Sequence, residues 1–251
     1  MRALVIALGW VAAGLIILAA LPLQLLLWLL TRPFDRNLAV PGRFLRLAGA
    51  SLGGCYPGWH FRVEGRWPRG GGPRVVVSNH QSLLDIVLLS RLPREMKWVA
   101  KESLFAIPWM GWMFRLSGDI PVRRGDAESG GEAMARARAY LDRGMSVMIF
   151  PEGTRSRDGR LLPFKSGAFR LAIEAGVPVQ PVVVSGTAAG LAKGGTRIAP
   201  CRATARLLAP ISTAGLTRAD IPALRDRVRA EMEAELGAPA APPAPGPAEG
   251  R

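Results

Sequence analysis

The sequence predicts an α/β protein in which a largely parallel sheet is flanked by helices and preceded by a helical membrane-anchoring segment. Two patterns lead to this prediction. Short runs of β-branched and other apolar residues alternate with stretches of helical periodicity that end at glycine, as in chains where strands and helices alternate. The N-terminus is almost wholly apolar, and no charged residue occurs in 3–31. A length of 251 residues allows one sizeable domain with attachments.

Residues 1–58 are expected to form a membrane anchor and an interfacial helix. A helix needs about 20 apolar residues to cross a bilayer, and the run over 3–31 exceeds that length. Pro22 divides the run, so both a kinked spanning helix and a broken helix that only dips into the bilayer remain open. A cleaved signal peptide is disfavoured because its apolar core has only ~7–15 residues. The mixture of arginine with Phe, Leu and Trp over 43–59 predicts an interfacial amphipathic piece.

The arginines that follow the apolar run predict the orientation in the membrane. By the positive-inside rule they place the following domain on the cytoplasmic side of the membrane, and the cell inner membrane is the expected location. These residues are Arg32, Arg36, Arg43 and Arg46.

The formal net charge of +14 predicts anionic partners. No nucleic-acid module signature occurs and the basic residues are scattered, so membrane lipids are favoured over nucleic acid. The two cysteines, Cys55 and Cys201, are far apart and have no metal-ligand spacing. We therefore expect neither a metal nor a cofactor, while the oligomeric state is left open.

Residues 59–236 are predicted to form the globular domain. The predicted strands are 59–65, 74–79, 96–100, 145–150 and 177–186. The predicted helices are 82–92, 132–144, 166–176 and 217–236. Prolines in the last predicted strand indicate either its beginning or an edge position. The Pro/Ala-rich residues 237–251 are expected to be disordered.

One histidine stands where the strand 74–79 ends. The carboxyl ends of parallel strands form the ligand crevice of an α/β sheet, so His80 is expected at that rim. Asp85 follows about one helical turn later and can reach back to a ring nitrogen. A carboxylate on Nδ1 fixes the tautomer and leaves Nε2 free to accept a proton. Taken alone the pair is a weak signal, because polar residues often only cap helices.

Further polar residues follow other predicted strands. The segment FPEGTRS (150–156) follows a strand and is expected to bring Glu152 and Arg155 into the crevice. An arginine presents a fork of donors suited to phosphate oxygens. Lys101 follows the strand 96–100, and two arginines end the segment GDIPVRR (118–124). For these last residues, ordinary solvated charges remain an alternative.

Four segments in order resemble the motifs of the glycerolipid acyltransferase family. They are NHQSLLD (79–85), GDIPVRR (118–124), FPEGTRS (150–156) and VPVQPV (177–182). The similarity extends over about 60–210. It implies the fold of that family, with His80 as the catalytic base and Asp85 as its orienting partner. The substrate-binding residues that it implies are Lys101, Arg123, Arg124, Glu152, Gly153, Thr154 and Arg155.

The resemblance also implies a reaction. An acyl group would pass from acyl-CoA or acyl-ACP to the sn-2 hydroxyl of lysophosphatidic acid, which is 1-acylglycerol-3-phosphate, and give phosphatidic acid. Arg124 matches the arginine of the family's second motif, whereas the position of Arg123 is often acidic in the family. Which arginine contacts phosphate is therefore open. Another lyso-lipid acceptor, such as lyso-ornithine lipid or a lysophospholipid, and a non-catalytic binder of anionic membranes are the alternatives.

Overall fold

The computed structural model describes residues 2–68, 71–195 and 197–237. Within them one sheet contains seven strands in the order β1-β7-β6-β2-β5-β3-β4. The strands are β1 Trp59–Glu64, β2 Val75–Ser78, β3 Met96–Lys101, β4 Ile120–Val122, β5 Ser146–Ile149, β6 Val179–Ser185 and β7 Cys201–Leu207. The helices are α1 Arg2–Thr31, α2 Ala39–Leu52, α3 Leu84–Leu89, α4 Glu102–Phe105, α5 Met110–Ser117, α6 Ala127–Asp142, α7 Gly167–Ala175, α8 Thr187–Gly190 and α9 Ile221–Gly237.

The sheet is largely parallel, which confirms the predicted fold class. Strands β2 to β6 all run in one direction. β7 is antiparallel to β6, and β1 is parallel to β7. The carboxyl ends of five strands therefore meet at one edge, where a ligand crevice is expected.

Apolar side chains cover both faces of the sheet. Val75 and Val77 point into one core cluster and Val76 into the other, because successive side chains on a strand face opposite sides. The first cluster includes residues of α6, α7 and α9, and the second includes residues of α3 and β7. β2 is thus wholly buried at the centre of the sheet, as is typical of parallel strands covered on both faces.

Several predicted boundaries differ from the structure. The helix predicted over 82–92 is only α3, and the helix predicted over 132–144 is α6, which begins earlier because the Asp126 side chain accepts a hydrogen bond from the backbone N–H of Ser129. The helix predicted over 217–236 begins with a 3-10 turn, Arg218–Asp220, before α9. The tail predicted for 237–251 lies outside the described residues apart from Gly237, where α9 ends.

The possibility that 177–186 is an edge strand is wrong. β6 lies between β2 and β7. Pro181 has no N–H to donate, but the pairing with β7 begins only at Val182, so the proline is tolerated. The sequence analysis did not identify α5 or β7. In the Trp- and Met-rich stretch 104–114, which includes most of α5, some side chains are buried and others are exposed. Met113 is buried, whereas Trp112 is exposed.

The apolar helix α1 is attached to the domain through α2 and α5. Ala20 and Leu21 form a small buried cluster with Met113, and the indole N–H of Trp109 donates to the Ile17 carbonyl at 2.7 Å. The amide of Gln24 is buried and donates to the Ser117 hydroxyl at 2.7 Å. These contacts fix the position of α1 relative to α5.

One arginine of the basic flank is not placed at a lipid surface. Arg46 is buried and forms an ion pair with Asp119, whose other oxygen accepts the backbone N–H of Trp98 at 2.9 Å. Arg46 is therefore not among the basic residues that membrane lipids can reach. The residue instead joins α2 to the sheet.

Candidate active site

The site is built around a buried pair of side chains at the carboxyl end of β2. The Nδ1 atom of His80 lies 2.6 Å from Oδ2 of Asp85, and both side chains are almost completely buried. A carboxylate only accepts hydrogen bonds, so Nδ1 carries a proton and Nε2 has the free lone pair. Within the described part of the chain, Nε2 makes no hydrogen bond. The contact expected between these two residues is thus present.

Asp85 is held by further donors. Its Oδ2 atom also accepts the backbone N–H groups of Gln81 at 2.7 Å and Ser82 at 2.9 Å. The hydroxyl of Thr187 donates to Oδ1. Thr187 begins α8 at the carboxyl end of β6, so the strand-end rule could have identified it, but the sequence analysis did not. These bonds fix the carboxylate and hence the plane of the imidazole.

An aromatic residue supports the other side of the imidazole. The ring of Phe150 stacks on His80 with centroids 4.3 Å apart and an interplanar angle of 23°. Trp98 packs on Phe150 nearly edge-on, at 6.3 Å. The ring of His80 is therefore restrained both by a hydrogen bond in its plane and by a contact on its face.

Glu152 joins the histidine loop to the loop before α7. Its Oε1 atom accepts the backbone N–H of His80 at 2.9 Å, and its Oε2 atom accepts that of Leu162 at 3.0 Å. The backbone N–H of Ser156 also donates to the His80 carbonyl at 2.7 Å. Both carboxylate oxygens are engaged inside the protein, which supports a positioning role for Glu152. Its direct contact with substrate stays a prediction.

The carboxyl of Glu152 is expected to make stability depend on pH. Burial raises its pKa to about 7, although the two backbone N–H groups act in the opposite direction. The folded state therefore holds the proton to higher pH than the unfolded chain, and stability falls as pH rises from about 4.5 to about 7. The full shift corresponds to about 3 kcal/mol, and solvent screening reduces the expected loss to roughly 2 kcal/mol.

Glu152→Gln should remove this part of the pH dependence. The measurement is the free energy of unfolding of both proteins in detergent at pH 5 and pH 8. All other titrating groups are the same in both proteins, so their contributions to the pH dependence of the free energy of unfolding cancel in the comparison. An equal change with pH in both proteins would contradict the assignment to Glu152.

Two arginines lie together at the same edge of the sheet. The pKa of Arg124 is lowered, first by partial burial and second by the positive charge of Arg155. Both remain cations, since an arginine side chain does not lose its proton in proteins. Arg123 instead lies near carboxylates, 3.3 Å from Glu102 and 3.5 Å from Asp126, and its side chain is 63% exposed. Arg124 thus lies close enough to Arg155 for their charges to interact, whereas the charge of Arg123 is offset by two carboxylates.

The turn that carries Arg155 brings two lysines to the site that sequence reasoning missed. Gly153 has a φ of +69°, and a Cβ atom there would stand 3.1 Å from Nζ of Lys165. The positive φ favours glycine at this position, and the short distance places the Lys165 ammonium group beside the turn. Nζ of Lys193 donates to the Arg155 carbonyl at 2.6 Å and lies 3.4 Å from the Thr154 hydroxyl. Neither lysine stands in a segment that follows a predicted strand directly, so no local signal identified them.

Lys101 is the last residue of β3 and is exposed. It makes no hydrogen bond or ion pair with another described residue, so its predicted role stays a prediction. The described residues also contain no cluster of His, Cys, Asp or Glu that could hold a metal ion. The chemistry available at this site is therefore that of an imidazole base beside fixed positive charges.

Comparisons with known proteins agree with this arrangement. The acyltransferase family model matches residues 60–185, which include every predicted site residue. A chloroplastic 1-acyl-sn-glycerol-3-phosphate acyltransferase from Brassica napus is 41% identical over 61% of this chain and 45% of its own length. The human alpha form is 42% identical over 64% of this chain and 57% of its length. The chain thus spans about half the length of these curated relatives.

Two further comparisons cover more of both chains. The human beta form of 1-acyl-sn-glycerol-3-phosphate acyltransferase is 36% identical over 78% of this chain and 70% of its own length. The crystal structure of the 1-acyl-sn-glycerophosphate acyltransferase from Thermotoga maritima has a TM-score of 0.74 and 25% identity, and the match covers 96% of this chain and 100% of that one. On the family match, these similarities and the shared fold, the chain belongs to the acyltransferase family.

Proposed function

We propose that this protein transfers an acyl group from acyl-CoA or acyl-ACP to the sn-2 hydroxyl of 1-acylglycerol-3-phosphate and forms phosphatidic acid. The observation that carries the proposal is the His80 imidazole, which Asp85 holds through Nδ1 so that Nε2 is free to accept a proton. Arg124 and Arg155 lie at the same edge of the sheet. The names of the relatives described above support this choice of acceptor.

The reaction follows from the geometry of the pair. Nε2 of His80 takes the proton of the acceptor hydroxyl while that oxygen attacks the thioester carbonyl carbon. The carbon–sulfur bond then breaks, and the imidazolium returns the proton to the leaving sulfur. The products are an ester and a free thiol, and no covalent acyl-enzyme forms. Asp85 stabilises the imidazolium, and a well-placed general base contributes about 10²–10⁴-fold to the rate.

The positively charged side chains at this edge of the sheet bind the phosphate of the acceptor. Arg124 and Arg155 repel each other when the site is empty, and a phosphate between them removes that repulsion. Arg123 is offset by acidic neighbours and is assigned no such role. The ammonium group of Lys165 adds a third positive charge next to Gly153.

We also propose that α1 attaches the protein to the membrane that holds both the acceptor and the product. Leu4–Thr31 is the one helix in the described part of the chain that is long and apolar enough to cross a bilayer. Its outer side exposes large apolar residues over most of its length, among them Leu8, Leu15 and Leu29. Placement of the catalytic domain on the cytoplasmic face of the inner membrane rests on the arginine flank.

Arg155→Gln should raise the acceptor KM far more than the donor KM. Hydrogen bonds to a charged group contribute roughly 1.5–3 kcal/mol, so an increase of about 10- to 150-fold is expected. Initial rates are measured against each substrate in turn, with Arg123→Gln as the matched control. Phosphate binding by this turn would be contradicted if Arg123→Gln raised the acceptor KM as much as Arg155→Gln does. It would also be contradicted if Arg155→Gln raised the acceptor KM and the donor KM equally.

One assay separates the proposed acceptor from the alternatives. Radiolabelled donor is supplied with lysophosphatidic acid, with lyso-ornithine lipid or with a lysophospholipid, and the labelled product is identified. The highest kcat/KM is expected for lysophosphatidic acid. Preference for another acceptor would reassign the substrate, and absence of transfer to all of them would favour a non-catalytic binder of anionic lipid.

A further inference from the structure

A cavity of about 680 Å³ lies outside the candidate active site, along the open edge of β4. It is an open cleft between the α4–α5 segment on one side and α6 on the other. The β4 residues that line it, Ile120 and Pro121, precede Arg124, and three strand spacings of about 4.8 Å, roughly 14 Å in total, separate β4 from the strand that leads to His80. None of the predicted site residues lines the cavity. Its volume falls in the range of about 300–1,000 Å³ that is typical of ligand pockets.

The cavity wall carries positive charge that the described residues do not neutralise. Arg115, Arg136 and Arg143 line it, and none of them forms an ion pair with a described carboxylate. Arg115 donates to a backbone carbonyl and Arg143 to an asparagine side chain. Arg136 makes no hydrogen bond with any described residue.

The two acidic residues of the wall do not offset this charge. Asp119 is occupied by the buried guanidinium of Arg46. Glu102 lies 3.3 Å from Arg123. The net charge that faces the cavity is therefore positive, and an anion that enters it gains favourable interactions.

The remaining wall suits an amphiphile. Leu38, Phe105 and Ile120 provide apolar surface. The hydroxyl of Tyr140 has no hydrogen-bond partner among the residues that the structure describes, and burial raises its pKa, so it remains a proton donor. A ligand with one phosphate and an adjoining apolar part matches this combination of cations, hydroxyl donor and apolar surface.

The cavity also lies next to the end of the apolar helix. Leu38 follows the end of α1 by only seven residues, and Asn37 joins this connection to α6 through a 2.9 Å hydrogen bond from Arg143. Phe34, in the same connection, is 74% exposed. A membrane that receives α1 therefore brings its head groups close to this cavity.

We propose that this cavity binds the phosphate head group of an anionic membrane phospholipid that is not a substrate. The site goes beyond the proposed acyl transfer, because it lies apart from His80 and uses different arginines. Guanidinium groups bind phosphate oxygens as paired donors, and the apolar wall accommodates the first part of the glycerol and acyl region. Such a lipid holds α6 and the α1–α2 connection against the membrane.

The test measures binding of a short-chain lipid to the full chain in neutral detergent. Dihexanoyl phosphatidylglycerol is titrated calorimetrically into the wild type, Arg136→Gln and Arg138→Gln. Arg136 is exposed and has no partner among the described residues, so its replacement is expected to leave the fold intact. Arg138, two positions along the same helix, pairs with Asp142 and does not line the cavity, which makes it the matched control.

Arg136→Gln should weaken binding at least about tenfold, whereas Arg138→Gln should not change it. Arg155→Gln, in the candidate active site, should also leave binding unchanged. Loss of binding in Arg155→Gln with none in Arg136→Gln would place the lipid in the active site and overturn the proposal. Equal affinity for dihexanoyl phosphatidylcholine would overturn the requirement for anionic lipid, and equally tight binding of inorganic phosphate would reassign the cavity to a free anion.

Discussion

Replacement of His80 by alanine should reduce acyl transfer by about 10²–10⁴-fold, because the acceptor hydroxyl then has no base in contact with it. The variant is expected to fold. The backbone N–H and C=O of residue 80, which bond to Glu152 and Ser156, remain in the alanine protein. The loss should therefore appear in kcat and not in the amount of folded enzyme.

The measurement is thiol release from acyl-CoA, and separately from acyl-ACP, in the presence of lysophosphatidic acid. His60→Ala is the matched control, because it removes the only other histidine of the chain from an exposed position on β1. Turnover of His80→Ala near that of the wild type would remove the proposed role of the imidazole. A loss of similar size in His60→Ala would indicate a general effect on the protein.

The centre of this site can be predicted from the sequence because the residues next to a strand are enough to show where that strand ends. β2 and β5 are short apolar runs interrupted by His80 and Pro151, so their ends are readable from the chain. In a parallel sheet both ends reach one edge, and the contact between His80 and Asp85 needs only the turn between strand and helix.

Residues that reach the site from elsewhere could not be predicted in this way. The end of β6 places Thr187 at this edge, but its contact with Asp85 across 102 positions could not be predicted, and neither could the contact of Lys193 with Arg155 across 38. Such contacts depend on the order of the strands, which the periodicity of one segment does not determine. Arg46 is the clearest case, since an arginine beside a membrane segment resembles a head-group contact until Asp119 is found against it.

Asp85→Asn should lower kcat by roughly 100- to 1,000-fold while the fold is retained. The asparagine oxygen can accept the same donors as Oδ2, which are the His80 ring and the backbone N–H groups of Gln81 and Ser82. Its amide N–H can donate to the Thr187 hydroxyl, which is able to accept as well as donate. The change thus removes the negative charge of the carboxylate while most of its hydrogen bonds can still form.

The expected loss follows from the charge of the intermediate. Two opposite charges about 4 Å apart at an effective dielectric constant near 20 attract by about 4 kcal/mol, which corresponds to roughly 10³ in rate if the imidazolium forms in the transition state. Thr187→Val provides the control, because it removes a donor from the same carboxylate and leaves the charge in place, so its loss of kcat should be clearly smaller than that of Asp85→Asn. Thermal unfolding in detergent checks that both variants are folded. If Asp85→Asn kept wild-type kcat, or if Thr187→Val lost as much activity as Asp85→Asn, the carboxylate would act only as a structural acceptor, and stabilisation of a charged imidazole would have no part in the reaction.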